Sequence, residues 1–258
     1  MLTLPLAAAF AASVLATSFL SGIFGMAGGM ILMGLLLAML PLAPAMLLHG
    51  VTQLAANGWR AWLWRTHVRW RSVAHYGAAA VLTACGFALL PFATDKATAL
   101  VVLGLTPFLA LLLPGGVRPD ATRGAYAWGC GFICTVLQLL AGVSGPILDV
   151  FFVHAGMDRK QVVATKAAIQ VFSHALKIVY FGALLAIAGG DAAGSPVGVP
   201  VLCIAVGFAV AGTNLSRRVL DAMSDVQFRV WTQWIVLGTA AVYLAQGLHL
   251  TLAARGAA

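Results

Sequence analysis

Eight apolar runs occupy most of this 258-residue chain, at residues 4–40, 44–64, 73–93, 97–113, 125–155, 161–188, 197–215 and 230–253. One crossing of the roughly 30 Å hydrocarbon core takes about 20 helical residues. A chain made of such runs has few alternatives to a bundle of membrane helices. Lipid supplies no hydrogen bonds, so each segment must satisfy its own backbone, which a helix does and an open sheet does not. Charged residues make up 9% of the sequence, where a soluble domain carries about a quarter. The expected fold class is an all-α polytopic membrane protein.

Two of the eight runs are interrupted. The first contains GIFGMAGGMIL at 22–32, with the break expected over 25–29, and the fifth contains GVSGP at 142–146. Glycine costs a helix roughly 1 kcal/mol relative to alanine, so four glycines within eight residues mark a place where the helix stops. The turn-rich stretch PGGVRPDATRG, 114–124, separates four runs from four, and the first run of each half is the broken one. An offset of 117 residues sets Gly25 on Gly142, Gly28 on Gly145 and Gln53 on Gln170. The chain therefore reads as two membrane repeats, 1–124 and 125–258, in one integrated transmembrane domain.

Basic residues set the expected topology. If all eight runs crossed the bilayer, the twelve Lys and Arg outside them would divide six against six. If each broken run is a re-entrant hairpin that leaves on the face it entered, Lys96 and Arg255 stand against the other ten. Basic loops stay cytoplasmic, so the second arrangement is expected: two re-entrant hairpins, six crossings, both termini periplasmic, in a bacterial inner membrane. Three crossings per half make the repeats inverted, a recurring transporter plan with broken helices meeting near the midplane. The N-terminus lacks the basic start of a signal peptide and is expected to be retained.

The helix after each hairpin carries a polar stripe. His49, Gln53, Asn57 and Arg60 form the first, and Lys166, Gln170, His174 and Lys177 the second. Spacings of three and four put each set on one helix face. Neither contains a carboxylate, and such groups inside a bilayer usually face a cavity or a partner. Arg60, near its helix end, can instead snorkel to the loop at 65–71. A helix starting after a glycine turn points unpaired N–H groups at whatever lies before it. The turn at Gly25, with Gly28, Gly29 and Met30, would do this in one half, and Gly145, Ile147 and Leu148 in the other. Ser144 adds a hydroxyl. Together with His49, Gln53, Asn57, Lys166, Gln170, His174 and Lys177, these residues are the expected binding site for a small anion.

Asp149 is the one carboxylate well inside an apolar run. It can pair with Lys166 or Lys177, or act as a protonatable group coupling transport to a proton. Cys85, Cys130, Cys134 and Cys203 all lie in apolar runs and are expected to pack as small hydrophobes. The net charge of +8 resides in short loops, so membrane orientation accounts for it and nucleic acid is not an expected partner. No cofactor or metal is expected, and neither glycine break is followed by the Lys-Ser/Thr of a nucleotide loop.

The stretches GMAGGM with PLAPAMLLHGVTQLAANGWRAW, and GVSGPILDVFFVHAGMDRKQVVATKAAIQVFSHALKIVYFG, resemble the sulfite exporter TauE/SafE (TSUP) family over nearly the whole chain. The resemblance implies a secondary carrier, not an enzyme, for small sulfur oxyanions, organosulfonates or related carboxylates. The expected partners are that anion, the lipid bilayer, a coupling ion (proton or sodium) and a second copy in a homodimer. The family's glycine run is typically denser, with a proline several residues on that the first copy here lacks. Two other classes remain open: an anion channel, and a thiol–disulfide electron carrier using Cys85 and Cys203, which lie 118 residues apart.

Overall fold

The computed structural model describes residues 4–89, 94–111, 119–153, 155–187 and 198–256. Arg118 and the linker residues 114–118, with the run ends at 90–93, 112–113, 188 and 197, lie outside them. The described residues form ten α-helices and no strand: α1 Leu4–Phe24, α2 Met26–Met39, α3 Leu42–Leu63, α4 Trp70–Leu89, α5 Lys96–Leu111, α6 Gly124–Ala141, α7 Gly145–Val153, α8 Arg159–Ile187, α9 Val199–Ala222 and α10 Asp225–Gly256.

Local chemistry sets the boundaries. Asp95 and Asp158 accept the Thr98 and Gln161 N–H groups at 2.8 and 2.9 Å and cap α5 and α8. Ser224 and Gln227 form a reciprocal capping box before α10. The helices α9 and α10 extend beyond the apolar runs, so Arg217, Arg218 and Arg229, expected in loops, are helical.

The first glycine break is narrower than expected. Only Gly25 leaves the helix, at φ 66° and ψ −109°, and α2 begins at Met26, so Gly28 and Gly29 are helical. The chain turns back there: a Cβ at Gly28 would collide with the Thr17 carbonyl and the Ser21 backbone on α1. The second break covers Gly142 to Ser144. Gly142, at φ 79°, ends α6 in the left-handed region with its N–H on Gln138 O at 3.0 Å. The returning arm is short, and Ala121 N–H bonds Phe151 O at 2.9 Å. The start of α6 and the end of α7 therefore lie side by side. The tips of the two hairpins touch, for a Cβ at Gly145 would stand 2.7 Å from that of Met26.

Helices meet through small residues, as membrane helices do where there is no water to drive them together. Gly212 on α9 rests on Leu15 O of α1, and Gly131 on α6 rests on Tyr76 O of α4, each with room for no Cβ. The helices α3 and α8 pack along each other through the middle, and α5 packs on α10. Around them α1 lies on α9, α6 on α4, α2 on α10 and α7 on α5.

Among the described residues, six helices are long and apolar enough to cross a membrane: α1, α4, α6, α8, α9 and α10. The number equals the six crossings expected, but the members differ. The hairpin arms α1 and α6 qualify, while α3 and α5 do not. The polar stripe lowers the hydropathy of α3, and α5 has 16 described residues with Pro107 inside. Length and apolarity alone do not distinguish an arm that crosses from one that turns back. The chain is a multi-pass helical membrane protein.

Basic residues from three segments gather at one end. Arg69 N–H bonds Thr165 Oγ1 at 3.0 Å, Lys160 lies 5.5 Å over the Trp64 ring, and Gly124 faces His75. The loop after α3, the start of α8 and the start of α6 thus share a face. Exposed Trp62 and Trp70 flank that loop, as aromatic rings do at a headgroup boundary.

Candidate functional site

Where α3 crosses α8 beside the hairpin tips, a buried cavity opens. Its walls are Ser21 from α1, Met26 and Gly29 from α2, His49 and Gln53 from α3, Gln138 from α6, Val143, Ser144 and Gly145 from the second break, and Gln170, Ser173 and His174 from α8. Its volume is about 20 Å³, room for about one water. A wider cavity of about 220 Å³ continues from it past Ser21, Met26 and Gln170 toward the basic face. Arg60, Lys166 and Arg217 line this vestibule, with Trp64, Ser216 and Gly25. Among the described residues, no Asp lines either space.

The inner wall is held by side chains that position one another. Asn57 donates to Gln53 O at 2.9 Å and to Gln53 Oε1 at 3.4 Å. The Gln53 amide lies against Gly29, and its buried Nε2 donor has no partner among the described residues. Gln138 Nε2 donates to His174 Nδ1 at 2.9 Å, and Ser144 donates to Gln138 Oε1 at 3.3 Å. His49 Nε2–H donates to Gly29 O at 2.9 Å, which leaves Nδ1 as an acceptor. Lys177 Nζ fills that acceptor at 2.6 Å and also donates to Gly142 O at 3.0 Å.

The two stripes thus meet end to end. His49 and Lys177 join at one end of the α3/α8 pair, while Arg60 and Lys166 stand together at the other, facing the vestibule. Eleven residues separate His49 from Arg60, about 16 Å along α3. The 117-residue offset exchanges the two pairs, sending His49 to Lys166 and Arg60 to Lys177.

Several expected ligands have other tasks. Lys166 is paired with Asp149, which takes the ion-pair alternative for that carboxylate. Met30 N–H lies within α2, while its carbonyl accepts from the Tyr243 hydroxyl at 2.5 Å. Leu148 N–H is spent on Ser144 O at 3.0 Å, because α7 starts early enough to include it. Gly28 packs on α1, and Ile147 is buried in an apolar cluster with Tyr76 and Phe151. Gly25 opens on the vestibule, Asn57 positions Gln53, and the Ser144 hydroxyl is used within the wall. The expected residues that line the inner cavity are Gly29, His49, Gln53, Ser144, Gly145, Gln170 and His174. Arg60 does not snorkel: it donates to Ser21 O at 2.9 Å and to Asn57 Oδ1 at 3.4 Å.

Ser21, Gln138 and Ser173 also line the cavity and were not expected. The 117-residue offset pairs Ser21 with Gln138, the one sequence signal that links them. Cys85 and Cys203 are free and exposed, Cys130 and Cys134 are free and buried, and no thiol lines either cavity.

A multi-pass helical protein with a buried, donor-lined cavity between two broken helices belongs to the class of membrane transporters. The particular family is the sulfite exporter TauE/SafE family, whose profile matches residues 9–243, and the chain is a member of it. No curated protein and no solved structure matches the chain.

Proposed function

We propose that the chain is a secondary carrier of a small anion of the sulfite, thiosulfate or sulfoacetate type, held between the hairpin tips. The observation that carries this reading is the Gln53 amide: a buried donor, unpartnered among the described residues, on a side chain that lines a cavity with no carboxylate among its described walls. An unmatched buried donor costs about 1–3 kcal/mol, and a bound oxyanion would satisfy it. The start of α2 at Met26 and the start of α7 at Gly145 add two positive helix ends at the same place. Membership of a family described as sulfite exporters supports the substrate class.

The narrow inner cavity favours a carrier over a channel, since a pore requires a continuous water path and this one closes to about 20 Å³. Loading an oxyanion requires the hairpin tips to part. Purified protein should melt higher with one of sulfite, thiosulfate, sulfate, sulfoacetate or isethionate. At a hundred times Kd, about 2.7 kcal/mol of stabilisation is expected. A flat melting profile across the whole panel, extended to small carboxylates, would overturn the anion reading.

The same reading takes residues 1–124 and 125–258 as inverted repeats with re-entrant hairpins. The packing supports it, since exchanging the halves turns α1 on α9 into α6 on α4, and α2 on α10 into α7 on α5. The bonded pair Ala121 and Phe151 supports a second hairpin that returns to the basic, cytoplasmic face. Reporter fusions at residues 120 and 158 should therefore report the same side of the inner membrane. Opposite sides would refute the hairpin topology.

A further inference from the structure

Lys177 is wholly buried, and no carboxylate lies within ion-pair reach of it among the described residues. The one acid inside the bundle, Asp149, is engaged by Lys166 at the far end of α8. What holds Lys177 is a neutral chain. Gly142 O accepts from Nζ, Nζ donates to His49 Nδ1, and His49 Nε2–H donates to Gly29 O. These bonds link both hairpin tips through α3 and α8. The same end is packed shut, for a Cβ at Gly142 would meet the Met46 sulfur at 2.6 Å and the Met33 sulfur at 2.7 Å. Its counterpart Gly25 has nothing within 4 Å and opens on the vestibule.

We infer that the His49–Lys177 pair is the site that takes the coupling proton, and that the bonds it makes are the latch holding the two hairpin tips closed on the side away from the vestibule. This rests on the anion-carrier reading and adds the coupling ion to it. A proton taken up at His49 occupies Nδ1, the atom that now accepts from Lys177. The imidazolium has no acceptor left, the two cations repel, and Lys177 swings off His49. The bridge between the tips then opens as one added positive charge appears beside the cavity, which a monovalent anion neutralises. When the anion leaves, His49 loses the proton and the latch re-forms. One proton moves with each anion, no other bond is made or broken, and a monovalent anion crosses without net charge.

The groups around this pair leave it the titrating role. On α8 His174 stands with its ring 5.5 Å from that of His49 and accepts from Gln138. Lys166 and Arg60 face the vestibule at the other end. The Tyr243 hydroxyl of α10 is bound to Met30 O, Tyr76 of α4 is bonded to Ser173, and Asp149 of α7 is bound to Lys166. The α6 thiols Cys130 and Cys134 lie 3.8 Å from each other.

The test uses the full chain in liposomes loaded with a pH dye, with thiosulfate as the probe because it carries no proton near neutral pH. External thiosulfate should acidify the lumen of wild-type vesicles whose membrane potential is clamped with potassium and valinomycin, since a dianion with one proton carries net charge. Labelled thiosulfate counterflow by the wild type should depend on pH. His49→Gln keeps a side-chain N–H but adds no proton. It should exchange thiosulfate at a reduced rate, flat with pH, without acidifying the lumen. Lys177→Gln, the second variant should His49→Gln not fold, should likewise exchange without proton movement. Acidification by either folded variant, or net thiosulfate uptake by the wild type without acidification, would overturn the proposal and leave the anion reading standing. If no anion of the melting panel binds the wild-type protein, both readings fall.

Discussion

Gly28→Ala is expected to be the most damaging single-methyl change in the chain. The added Cβ would overlap the Thr17 carbonyl oxygen and the Ser21 nitrogen and stand 2.8 Å from Ser21 Cβ. Two of these three atoms are backbone, so no rotamer change relieves the overlap; α1 and α2 must separate. Overpacking a side-chain core costs about 1–3 kcal/mol, and occasionally more. A collision with backbone lies at the upper end, roughly 3 kcal/mol, which is on the order of 10 °C in Tm for a chain of this size. The change also moves the start of α2, where Met26 meets Gly145. Loss of the folded protein on size exclusion, or a melting point lower by that amount, is the expected result. A variant that melts with the wild type would show that the hairpin does not close as tightly as described. Gly25→Ala provides a contrast: space is open there, but φ of 66° disfavours any side chain, so its penalty is conformational and smaller.

Gln53→Glu should abolish anion binding while leaving the fold in place. The substitution keeps the side chain's size and the Oε1 that accepts from Asn57. It removes the free amide donor and brings a negative charge into a space built of donors. Like charges brought together in a buried site cost several kcal/mol, so the apparent affinity for the best anion of the panel should fall by roughly a hundredfold or more. The measurement is anion-dependent melting, read beside the anion-free melting point. Retained stabilisation by anions in Gln53→Glu would place the binding site elsewhere.

Much of this arrangement was legible in the sequence, and the reasons are physical. Helical periodicity in a polar stripe survives any packing, so His49, Gln53 and Asn57 fell on one face of α3, and Lys166, Gln170 and His174 on one face of α8. Which members meet was not legible, because that depends on where two helices cross. Lys177 reaches His49 across 128 residues of chain. Asp149 had two lysines within plausible reach, and the register of a nine-residue helix decided for Lys166. Glycine density placed the first break but not its width, since Gly28 and Gly29 serve close packing rather than turning. Gln138 stood alone in an apolar run. Only when α6 packs beside α8 does its amide find His174.

On the anion-carrier proposal, the vestibule would give the two faces of the membrane unequal kinetics. Arg60, Lys166 and Arg217 line a recess walled by apolar residues, a geometry that focuses the field and raises the local concentration of anions at its mouth. The opposite end is closed by Met33 and Met46 against Gly142. An anion arriving from the basic face is captured by attraction that salt screens within about 8–10 Å, whereas one arriving from the opposite face must wait for the bundle to open. On that proposal the molecule would favour capture from the basic face without a change in the free energy of transport, and ionic strength would set how strongly.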